Sequence, residues 1–74
     1  MAYEYSSAAG TLHLVEYNGR WLLYFAGRRH GGWRSPDQAA FAVAQHRSGL
    51  PQWDEKRADA PEDLLHWRPL GASL

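Results

Sequence analysis

No cysteine occurs in the 74 residues, so no disulfide staples the fold and no thiolate ligates a metal or a cluster. Lysine is almost as scarce: Lys56 stands against seven arginines. Charge of either sign is missing in sum, with eight basic and eight acidic side chains. No run of about 18 apolar residues is present, which excludes a membrane-spanning helix. The first residues, Met1-Ala2-Tyr3-Glu4-Tyr5, lack the basic flank and apolar centre of a signal peptide. These absences point to a cytoplasmic protein. What is abundant is apolar and aromatic surface, 45% and 14% of residues, too much for a chain disordered throughout. A chain this short is expected to be one domain, near the lower size limit for a self-supporting core.

Neutrality in sum conceals a pattern along the chain. Residues 1–19 hold Glu4 and Glu16 and no base. Residues 20–50 hold Arg20, Arg28, Arg29, Arg34 and Arg47 against Asp37 alone. Residues 51–74 turn acidic again, with Asp54, Glu55, Asp59, Glu62 and Asp63 outnumbering Lys56, Arg57 and Arg68. A basic middle between acidic ends either folds back on those ends or offers a surface to an anionic partner. Arginine suits stacked and bidentate contacts better than lysine does.

Local signals divide the chain. Residues 1–10 end in Ser6-Ser7-Ala8-Ala9-Gly10 and read as a flexible lead-in, with Tyr3 and Tyr5 as material for an edge strand. Residues 11–17 (TLHLVEY) and 20–26 (RWLLYFA) read as two strands around Asn18-Gly19, the strongest short hairpin signal. Gly27-Arg28-Arg29-His30-Gly31-Gly32 reads as a glycine-bounded turn or loop, and Trp33-Arg34 as part of a short third strand. Ser35-Pro36-Asp37-Gln38 is a capping-box helix start. The helix spans residues 36–47, with Gly49 placed as its left-handed terminator. Residues 54–60 read as a solvated loop and residues 61–67 as one or two helical turns. The expected fold is α+β: an antiparallel sheet of about three strands on one main helix, with a short C-terminal helical turn. Residues 11–50 form its core and residues 51–74 an acidic tail with apolar anchors. Phe41 and Val43 lie about 200° apart around the helix, which points to cover on more than one side.

The hairpin turn sets which side chains share a face. Leu12, Leu14, Leu23 and Phe25 fall on one face, the natural seat of the helix; Glu16 faces Trp21, leaving that indole half exposed near the tip. His13, Val15, Tyr17, Arg20, Leu22 and Tyr24 fall on the other. A half-solvated sheet alternates apolar with polar, whereas this hairpin is apolar or aromatic on both sides. Three occupants fit the second face. The tail can fold over it with Leu64, Leu65, Trp67 and Leu70. A second copy or another protein can dock there. A nucleic acid can stack on Tyr17, Tyr24 and His13 while Arg20, Arg28, Arg29 and Arg34 take phosphates.

The stretch Gly32-Trp33-Arg34-Ser35-Pro36-Asp37-Gln38-Ala39-Ala40 resembles the strand-to-helix junction of AP2-type and integrase-N-terminal DNA-binding domains. That resemblance spans residues 11–47. It implies an alanine-rich helix behind a three-stranded sheet, with Arg20, Arg28, Arg29 and Arg34 as DNA contacts on the sheet.

Catalytic constellations find little support. His13, His30, His46 and His66 never stand three or four apart, so no metal site is expected. Ser35 and Ser48 are accounted for by helix capping and helix stopping, and no G-x-S-x-G appears. Asp54-Glu55 and Glu62-Asp63 fit solvated loops and first turns. Residues 27–32 lack the GK[ST] ending of a phosphate loop. Of the tryptophans, Trp33 and Trp53 are expected to fill core. The reading is a non-catalytic binding module without cofactor. Its preferred partner is protein, including its own copy, with nucleic acid as the alternative.

Overall fold

The computed structural model describes residues 2–70. One antiparallel sheet carries five strands in the order β4-β3-β2-β1-β5. They are β1 (Ala2–Ser7), β2 (Gly10–Tyr17), β3 (Arg20–Phe25), β4 (Arg28–Trp33) and β5 (Arg68–Leu70). Between β4 and β5 the chain forms helix α1 (Pro36–Ala44), the short helix α2 (Pro51–Asp54) and a 3₁₀ turn (Leu64–His66). Among the described residues no helix is long and apolar enough to cross a membrane.

The α+β class agrees with the sequence, but three strands understate the sheet. Residues 2–7, read as a lead-in, pair along their whole length with β2, from Ala2 opposite Val15 to Ser7 opposite Gly10. The segment 28–32, read as part of a turn or loop before a short strand at Trp33, belongs with Trp33 to one six-residue strand entered through a two-residue turn. Ala26 and Gly27 there have φ of 52° and 76°, nearly the values of Asn18 and Gly19, 51° and 77°. Positive φ at both central residues is the hairpin turn whose twist matches its strands. Gly31 and Gly32 make an irregularity within β4 instead of a loop: Trp33 pairs with Trp21 and Gly31 with Leu22. At Gly31 φ is +144°, and a Cβ would stand 2.8 Å from the Trp21 carbonyl oxygen and 2.6 Å from the Trp33 ring. Only glycine fits that position.

Helix α1 starts where the sequence places it. Ser35 Oγ accepts the Gln38 N–H at 3.2 Å, and Gln38 Oε1 accepts the Arg34 N–H at 3.3 Å. It ends earlier than expected, at Ala44, and Gly49 is not its terminator. The left-handed residue is His46, at φ 57°. The His46 N–H donates to the Val43 carbonyl and the Arg47 N–H to the Ala42 carbonyl, the paired bonds of a Schellman motif. The His46 ring lies flat on Trp53, centroids 5.0 Å apart and planes 8° apart. Its Nδ1 donates to the Trp53 carbonyl at 3.3 Å. The stack and that bond hold a residue with a Cβ where glycine is usual.

The core lies between α1 and one face of the sheet, here the front face. Leu12, Leu14, Trp21, Leu23 and Phe25 rise from the strands; Ala39, Ala40 and Val43 descend from the helix; Leu50, Trp53 and Trp67 close the sides. The alanines bring the helix close to the strands. One side of α1 is enough: Val43 is fully buried and Phe41 is 55% exposed, so the expected second cover is not present among the described residues. Trp21, expected half exposed, is 5% exposed, because β1 lays Tyr3 against it with centroids 5.7 Å apart.

Candidate binding face

The face of the sheet turned away from α1 is built by register alone. Opposite residues in an antiparallel pair share a face, so partners can be followed from strand to strand. One row runs Leu70, Ala2, Val15, Leu22, Gly31 across all five strands. It is wholly apolar. The adjacent row runs Arg68, Glu4, His13, Tyr24, Arg29. At the hairpin tip Tyr17 stands opposite Arg20.

The polar row is an electrostatic ladder. Glu4 Oε2 lies 3.3 Å from His13 Nε2, and Glu4 Oε1 lies 3.4 Å from an Arg68 guanidinium nitrogen. One carboxylate thus bridges two neighbours on different strands. At the other end Tyr24 stands opposite Arg29, and the neighbouring phenol holds the guanidinium pKa above its usual value. Glu4 is the best sheltered member of the left half, its side chain 22% exposed against 41% for His13 and 76% for Arg68.

The described part of the tail, residues 51–70, does not lie over this face. Trp67 is buried in the front core, its ring tilted against Tyr5 with centroids 5.8 Å apart and its N–H donating to the Pro61 carbonyl at 2.9 Å. Leu64 packs at the edge of the same core, and Leu65 is 88% exposed. Leu70 reaches the rear face only as part of β5, in the plane of the sheet. Every buried apolar residue belongs to the front core, and α1 touches β2, β3 and β4 from that side. Val15, Leu22 and Tyr24 are half-buried by their strand neighbours, with no described element crossing them.

The structure sorts the candidate residues into two groups. His13, Tyr17, Arg20, Tyr24 and Arg29 share the rear face. Arg28 stands opposite Phe25 on the front side, and Arg34 follows β4 at the entrance to α1, so neither joins them. Sequence reasoning missed Glu4 and Arg68, which complete the ladder. The alternation Ala2-Tyr3-Glu4-Tyr5-Ser6 carries a period-two signal for β1; nothing local places Arg68 beside Glu4. Among the described residues no group of three or more His, Asp or Glu side chains is placed to hold a metal.

No family model matches the chain, and no curated protein or solved structure matches it either.

Proposed function

We propose that the chain is a non-catalytic binding module that docks protein, foremost a second copy of itself, across the rear sheet face. The observation that carries this reading is the row Leu70, Ala2, Val15, Leu22, an apolar stripe one residue wide with no described element above it. A protein surface is its natural cover, since the stripe is flat, continuous and bordered by polar groups. The acid in the ladder favours protein over a polyanion, because phosphates laid along the row meet Glu4.

Dilution separates the outcomes. On self-association, the methyl resonances of Val15 and Leu22 move with protein concentration while those of Leu12 and Leu14 stay fixed. Leu22→Lys abolishes the movement, and sedimentation returns the mass of one chain. Concentration-independent methyls together with a single-chain mass for the unaltered protein at high concentration would falsify docking to its own copy.

The second reading is nucleic-acid binding. It is favoured by the co-location of Tyr17, Tyr24 and His13, as stacking platforms, with Arg20 and Arg29. The resemblance to DNA-binding domains that read with a sheet points the same way. It requires salt-reversible shifts of rear-face resonances on adding a short oligonucleotide at low ionic strength.

A further inference from the structure

The sheet has two outer edges of unlike character. β5 is three residues long and contains Pro69, which has no N–H, so this edge is short and poor in donors. β4 is six residues long, and its outer side has no neighbouring strand among the described residues. Strands exposed in this way offer a row of unpaired N–H and C=O groups to an incoming strand.

Charge decides which strand β4 admits. Arg28, Arg29 and His30 are consecutive and exposed, and β4 holds no acidic residue. Arg34 follows the strand directly, and Arg47 borders the same depression as His30, Gly32 and Trp33, a hollow of about 310 Å³ at this edge. A second copy pairing antiparallel about a two-fold axis within Arg28–His30 sets base against base, which is unfavourable for directly opposed residues. The same side chains reward an acidic strand.

We propose that β4 is a docking edge for an extended acidic segment of another protein, which adds to the sheet as a sixth strand beside Arg28–Trp33. Its alternate carboxylates meet Arg28 and His30 on the front side, where the hollow beside Arg47 receives one further acidic side chain, and the intervening residues point to the rear. The edge is separate from the apolar rear row, so this inference does not depend on what covers that row.

The probe is a peptide of about six residues alternating glutamate with valine, the length of an ordinary strand. Titrated into the protein at low salt, it is expected to shift the amide resonances of residues 28–33 and slow their hydrogen exchange. Resonances of Val15 and Ala2, two and three strands away, stay in place. Arg28→Glu, an exposed change that leaves the spectrum of the core intact, weakens binding about fivefold to tenfold by replacing an attraction with a repulsion. Methylating the peptide nitrogens on one edge removes the donors a sixth strand needs, and binding is lost. Equal binding of the methylated peptide overturns the proposal, because charge alone then holds the ligand. So does equal binding of the lysine-valine counterpart. Tighter binding of an oligonucleotide of matched charge at the same residues overturns it too, and assigns the edge to nucleic acid.

Discussion

Among the described residues three outside glycine take positive φ, and each shows how a side chain is forced into or held in that region. Asn18 is a residue type that tolerates it and completes an ordinary two-residue turn. His46 is held by its stack on Trp53 and its bond to the Trp53 carbonyl. Ala26 has neither help: it is exposed, its φ is 52°, and its methyl group makes no compensating bond. A left-handed L-residue costs about 1–2 kcal/mol, and asparagine escapes much of that. Ala26→Asn is therefore expected to stabilise the protein by about 1 kcal/mol, raising the thermal midpoint by about 4–8 °C for a domain of this size. An unchanged midpoint would mean that the second turn does not hold Ala26 left-handed. The absence of Asn or Asp at this turn is also why the second hairpin was not legible locally, whereas Asn18-Gly19 announced the first.

At the scale of elements, the junction between α1 and α2 is organised by one carboxylate. Asp54 accepts three hydrogen bonds from the preceding loop: Ser48 N–H at 3.0 Å, Ser48 O–H at 2.8 Å and Gly49 N–H at 3.0 Å. Ser48 Oγ in turn accepts the Leu50 N–H at 3.2 Å, and Ser48 is 2% exposed. The loop's polar groups are thereby satisfied at a buried turn, and α2 is aimed so that Trp53 enters the core. The Trp53 indole N–H donates to the Val43 carbonyl at 2.8 Å, so the core residue of one helix caps an end carbonyl of the other. Asp54→Ala strands the Ser48 hydroxyl and two N–H groups. Its expected cost is about 3 kcal/mol in chemical denaturation, at the upper end for buried polar groups. Asp54→Asn, which retains one carbonyl acceptor, is expected to lose roughly half as much. A cost below about 1 kcal/mol for the alanine variant would show the loop to be held by packing alone. Local residues 54–60 read as a solvated loop; what could not be read was that the first of them turns back onto Ser48, six residues earlier.

For the whole molecule, the decisive event is the return of the chain end to β1. β5 pairs Arg68 with Glu4 and Leu70 with Ala2, joining the two ends of the described chain in one sheet. Trp67 secures this closure through Tyr5 and Pro61. A chain of this length has a stability near 7 kcal/mol at roughly 0.1 kcal/mol per residue. Removing a buried indole costs about 3–5 kcal/mol. Trp67→Ala is thus expected to leave the fold marginal, with β1 amides exchanging as fast as those of the hairpin tip. Retention of full β1 protection in that variant would separate the closure from the core. The same closure determines the rear face. With Trp67 and Leu64 drawn to the front, Leu65 exposed and Leu70 held in the plane of the sheet, no described tail residue crosses Val15, Leu22 and Tyr24.

Sequence alone determined the elements whose signals are short in range. The Asn18-Gly19 hairpin, the pairing of His13 with Tyr24 and Val15 with Leu22, and the helix start at Ser35 rest on turn and capping chemistry within a few residues. Tertiary structure alone decided what depends on partners distant along the chain. Residues 2–7 became a strand because β2 and β5 flank them, and Glu4 became the hinge of a ladder because Arg68, sixty-four positions later, lies beside it. Backbone pairing rewards any segment with the right alternation, and only the finished sheet determines which segments meet.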